Sequence, residues 1–178
     1  MILIPKFQNI IECGGTLQIA HFGPDGKLIE ERMYSNIVTT IGKAWIAARM
    51  KTSGIPLEMG YMAVGGNATV GSNPTKTTPV IADQALSTGG SPALSELARV
   101  ALTVSGGTVS GAVVTYAASF GAGTGTGALI EAGIFNVASG PVQGSGTITS
   151  AMLCKTSYDV VNKAANDSIA ITWTVTIQ

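Results

Sequence analysis

Few residues of this 178-residue chain can do acid–base, nucleophilic or metal chemistry, and they are scattered. His21 is the sole histidine, so a hydrolytic triad would have to run through it. It alternates with Ile19 in a predicted strand, beside Phe22 and a turn, and reads as an ordinary strand-end histidine. Cys13 and Cys154 lie far apart and fit no metal-ligand spacing. A free cysteine packs as a small hydrophobe, so both are expected as reduced, largely buried thiols. One histidine, two isolated cysteines and no clustered acids assemble neither a zinc site nor a calcium loop, and no metal or cofactor is expected. The run 121–127 (GAGTGTG) invites a nucleotide-loop reading. Such a loop must open a helix whose N-terminus holds a pyrophosphate. Here ALIEAGIF follows, which reads as a strand, and the run is expected to be a flexible hairpin turn.

Glu131 is the acid that asks for an explanation. Between Val100 and Cys154 it is the only charged residue, in a stretch of Gly, Ala, Ser, Thr and β-branched apolar residues. An ionised carboxylate in such surroundings is costly unless it is paired or hydrogen-bonded. Arg99, in another low-charge segment, is the expected partner. Glu131 is read as structural, in an ion pair with Arg99 or as a carboxylate accepting backbone N–H groups, because no second acid or base is local to support catalysis. Trp45 and Trp173 each lie on an apolar periodic face and are expected in the core rather than on a sugar platform. Enzyme activity is not expected.

The composition points the same way. A soluble domain interleaves charges at about a quarter of its residues, and the stretch around Glu131 must find cover elsewhere. Gly interrupts it too often for a membrane span. The remaining cover is protein: packed strands, neighbouring subunits or a larger assembly. A homo-oligomer is expected, with a homotrimer as the specific expectation. Ten Lys and Arg balance ten Asp and Glu. No basic surplus exists to neutralise a phosphate backbone, so nucleic acid is not an expected partner. The N-terminal MILIPKF lacks a basic region followed by an apolar stretch, so no signal peptide is expected.

These residues need elements to hold them. Strands are predicted over 15–22 and 27–34, joined by the turn Gly23-Pro24-Asp25-Gly26. Ile37, Ile41, Ala44, Trp45 and Ala48 follow a helical period, and a helix is predicted over 40–51, capped by Asn36 or Thr40 and stopped by Gly54 and Pro56. A short strand is predicted over 59–64. Residues 65–93 hold five Gly and three Pro and read as a long loop suited to reaching a neighbour. Further strands are predicted from about 99, then over 108–120, 128–135, 147–155 and 167–177. The last alternates Ile169, Ile171, Trp173, Val175 and Ile177 against Thr172, Thr174 and Thr176. The expected fold is mainly β: a β-sandwich or barrel-like antiparallel arrangement with one short helix and a long Gly/Pro/Thr-rich loop. Residues 1–34 are expected as an N-terminal arm and β-hairpin, and 35–178 as the β-rich core domain.

Five motifs then occur in order: NIVTTIGKA at 36–44, YMAVGG at 61–66, DQAL at 83–86, ELAR at 96–99 and IEAGIFN at 130–136. The ordered set resembles the N-terminal module of tailed-phage tail-collar fibre proteins and a set of small phage virion proteins similar to it. The resemblance covers about residues 34–140 and, more loosely, the C-terminal strand. It implies a non-enzymatic bacteriophage virion structural protein, assembled in the bacterial host cytoplasm, in which the acidic and Arg positions are structural. Collar fibres continue into a long shaft and receptor-binding tip, whereas this chain adds an N-terminal hairpin and ends at Gln178. The specific expectation is a capsid decoration (cement) protein binding the major capsid protein. A tail or collar fibre adaptor, or a short receptor-binding spike, is the alternative. The segment before Gly14 and the loop 65–93 are the expected clamps.

Overall fold

The structure is a computed structural model, and it describes residues 12–51, 53–87, 94–140 and 150–178. The expected hairpin forms as β1 (Cys13–Phe22) and β2 (Leu28–Ser35), with Gly26 at positive φ in its turn. A two-residue strand, β3 (Ile37–Val38), then leads into α1 (Thr40–Arg49). The strands β4 (Tyr61–Asn67), β5 (Ser95–Ala101), β6 (Thr108–Ser110), β7 (Val113–Phe120), β8 (Gly127–Phe135), β9 (Met152–Lys163) and β10 (Ser168–Ile177) follow. They build two five-stranded antiparallel sheets, in the orders β2-β1-β10-β7-β6 and β3-β9-β8-β4-β5. The fold is mainly β, and the sheets do not close into a barrel.

One continuous core joins the sheets. Leu17 and Ile19 of β1 and Ile171 and Trp173 of β10 pack with Met62, Leu129 and Ile134 of the second sheet. The hairpin expected to stand apart from a 35–178 core is therefore part of that core. The reason is pairing: β1 is matched to β10 along its whole length, from Cys13 opposite Ile177 to Phe22 opposite Ser168. Burial on β10 alternates as its sequence requires, with Ile169, Ile171, Trp173 and Val175 inward. Both tryptophans are buried, and the Trp45 indole N–H donates to the Leu57 carbonyl at 2.8 Å.

Several boundaries differ from the sequence reading. Thr39, not Asn36 or Thr40, caps α1: its hydroxyl accepts the Gly42 N–H at 2.9 Å and donates to the Met152 carbonyl. Ile37 fits a helical spacing yet pairs with Lys155 in the second sheet. The strand expected to end at 155 runs on to Lys163, while 147–149 lie outside the described residues. The expected 108–120 strand breaks at Gly111 (φ 58) into β6 and β7. The GAGTGTG run is not a hairpin turn. It carries the chain from β7 in the first sheet to β8 in the second, and its Gly123 N–H donates to Ala165 in the β9–β10 turn at 2.7 Å.

β8 is the central strand of the second sheet and is buried at every position. The first sheet covers one face. The other lies under the chain between β4 and β5, whose described part folds back instead of reaching away. The Gly71 N–H donates to Asn162 at 2.8 Å, Lys76 meets Asp159 at 2.9 Å, and the Ile81 carbonyl accepts the Thr40 N–H at 2.7 Å. Leu86 is buried at the end of this path. Much of the uncharged stretch is thus covered by its own chain. Residues 88–93 of the expected clamp, like 1–11 of the expected arm, lie outside the described residues.

Candidate functional site

The covered face of β8 holds a charged centre. Glu131 is fully buried at mid-strand, and a Cβ on Gly65 would lie 2.8 Å from its Oε1, so the second-last glycine of YMAVGG makes the room the carboxylate occupies. Oε1 accepts the Ser87 backbone N–H at 2.5 Å, and Oε2 accepts the Ser87 hydroxyl at 3.0 Å. The ammonium of Lys155, on the neighbouring β9, lies 3.1 Å from Oε2. Lys155 is also buried. It lies 3.3 Å from Oδ2 of Asp83 and donates to the Ala85 carbonyl at 3.2 Å. Asp83 in turn accepts the Val80 N–H at 3.1 Å. The Tyr158 hydroxyl donates to the Glu131 carbonyl at 2.9 Å. Burial first, then the charge of Glu131, pushes that phenol well above its ordinary range.

Glu131 and Arg99 are both largely buried and satisfied, as the sequence led us to expect, but not by each other. Arg99 grips Glu96 through two bonds of 2.9 and 2.8 Å, donates to the Val137 carbonyl at 3.0 Å and lies 3.8 Å over the Phe135 ring. The register explains the exchange. Arg99 stands opposite Ala63, Ala63 opposite Gly133, and Gly133 opposite Lys155, so the two cations share one row, with Lys155 on the strand beside Glu131 and Arg99 two strands away. Glu131 takes the nearer cation. A signal for Lys155 was present: it is the first charge after Glu131 along the chain. Asp83 and Ser87 carried no periodic signal that could place them.

His21 is more than a strand-end residue. Its ring is buried, with Nε2 3.0 Å from Asp167 and Nδ1 3.6 Å from Glu30, which also pairs with Arg32. Arg32 reaches across to the Asp159 and Val160 carbonyls of β9. Burial pushes Asp167 up, but the Ala164 N–H, His21 and the charge of Lys163 outweigh it and hold its carboxyl below the usual range. Both cysteines are free, Cys154 buried and Cys13 half-buried, and burial pushes the Cys154 thiol far above its ordinary value. Among the described residues, no group of three or more His, Cys, Asp or Glu is placed to hold a metal ion.

The outer face of the first sheet is the second feature. Its strands β1, β10, β7 and β6 contain no Asp, Glu, Lys or Arg. Opposed across it are Ser35, Thr16, Thr174, Thr115 and Thr108, with Gln18, Thr172 and Ala117 in the next row. Thr16 and Thr174 hydrogen-bond through their hydroxyls at 2.9 Å. At its edge Met33 is 67 % exposed. No family model, curated protein or solved structure matches this chain.

Proposed function

We propose that the chain is a non-enzymatic bacteriophage virion structural protein, most specifically a capsid decoration protein that strengthens the head through contacts between subunits. The observation that carries the reading is the outer face of the first sheet, uncharged across four strands. A free surface of this size normally carries interspersed charges. One made of Thr, Ser, Ala and Gln has few charges to desolvate and suits a protein partner that pairs its hydroxyls, and the assembly proposed is a homotrimer. The buried charged centre supports a structural role too, since Glu131 and Lys155 are buried and bond to Ser87, Asp83 and the Ala85 carbonyl of their own chain. The ordered motifs resembling the collar-fibre module supply the phage context.

Cryo-EM of the particle that carries the protein tests this. The reading predicts trimeric density over the head lattice, seated on the major capsid protein. Density at the neck or tail would replace it with the collar or adaptor reading, and density at the distal tip with a receptor-binding spike.

A further inference from the structure

We propose that Lys155 and Asp83 join spontaneously in an amide bond between side chains, with Glu131 as the proton carrier, so that the chain closes a covalent cross-link beneath the segment that covers β8. The inference is independent of where the protein sits on a particle.

Three observations combine. The Lys155 amine lies 3.3 Å from Oδ2 of Asp83, which places the two side chains that would join in direct contact. A second carboxylate, Glu131, lies 3.1 Å from the same nitrogen and is fully buried, held in place by the two Ser87 donors. The site is screened from water, with Lys155 3 % exposed and Asp83 23 % exposed at its rim. A salt bridge alone needs one carboxylate. Here two converge on one buried ammonium, and they differ in setting: Glu131 is locked on a central strand, and Asp83 sits on the covering segment.

The chemistry balances without any co-reactant. In the dry site a proton passes from the ammonium through Glu131 to Asp83, leaving a neutral amine beside a neutral carboxylic acid. The nitrogen lone pair attacks Cγ of Asp83 and forms the C–N bond. The Val80 N–H, already donating to Oδ2, steadies the oxygen on which charge develops. Glu131 takes a proton from the nitrogen and delivers it to the departing hydroxyl. The C–O bond breaks, one water leaves, and Glu131 ends as it began. The product is a neutral amide in place of a buried ion pair.

Mass spectrometry of the purified full-length chain decides the matter. The expected intact mass is one water below that of the sequence. Trypsin should then leave residues 77–99 joined to a peptide that contains an uncut Lys155. Asp83→Asn should form the same bridge with loss of ammonia instead of water. Asp83→Ala, at a rim position, should fold and show its full sequence mass. Glu131→Gln should form the bond about 100-fold more slowly or not at all. A wild-type chain at full sequence mass, with 77–99 released as a free peptide, would overturn the proposal. So would a bridge mapped to Lys155 and Glu131.

Discussion

Lys155 and Glu131 are each other's nearest counter-charge, so once Asp83 is also removed, deleting one leaves the other buried without a counter-charge. In an Asp83→Ala background, where no covalent bond can form, Glu131→Ala should cost about 3–5 kcal/mol of stability by urea unfolding. A double-mutant cycle should couple Glu131 to Lys155 far more strongly than to Arg99, whose bonds run to Glu96 and Val137. Equal coupling to both would contradict the assignment. Asp167 has a pH signature of its own. Its folded carboxyl lies below the usual range, so the stability it contributes is present above the ordinary carboxylate value and is lost as pH falls through the lower folded value. Unfolding followed from neutral to acidic pH should therefore show a shallower loss in Asp167→Asn than in the wild type. That Glu131 and Arg99 would be buried and satisfied was legible from their lonely positions in apolar sequence. Which partner each takes was not, because register decides it and register is set by bulges, such as the one between Gly65 and Gly66.

At the scale of elements, close backbone approach governs what can change. A Cβ on Gly42 would lie 2.2 Å from the Leu153 carbonyl oxygen, on the face where α1 meets β9. Gly42→Ala gains about 1 kcal/mol of helix propensity, but it must push the helix off the sheet. The expected net result is a loss of about 1–3 kcal/mol, visible as a lower thermal midpoint. A neutral or raised midpoint would show that α1 is free to shift. The same packing explains what the sequence disclosed. β10 has one face inward, so its Ile, Trp and Val alternate and its span was readable almost to the residue. β9 carries on past Lys155 through Asp159 and Lys163, charges that read as a strand end. Yet Lys163 is buried with its ammonium on the Gly121 carbonyl at 2.9 Å, and burial pulls its pKa down despite the charge of Asp167. The segment between β4 and β5 has no apolar period, so polar bonds and the buried Leu86 seat it, and no pattern marks them in advance.

For the whole molecule, the outer face of the first sheet, free of charge on β1, β10, β7 and β6 and with Glu31 on its edge strand β2, sets the expectation of self-association. Sedimentation at micromolar concentration should give a trimer, and Thr172→Lys, at the centre of that face, should shift it toward monomer with the fold intact. A stable wild-type monomer would remove the motive for the assembly. The proposed benefit to a particle is linkage: a protein that binds only the assembled shell stabilises that state by mass action. The described part of the segment between β4 and β5 is already bound to its own sheet. Deleting residues 1–11 therefore becomes the informative truncation, expected to weaken particle binding while β1 keeps its pairing with β10. The most direct measurement compares genome retention in particles with and without this protein under rising temperature, chelation and osmotic shock. Particles lacking it should release their genome at lower temperature and under milder shock, and adding back the purified chain should restore them. Particles that are equally robust but fail to attach to cells would contradict the decoration reading and put a tail or receptor-binding role in its place.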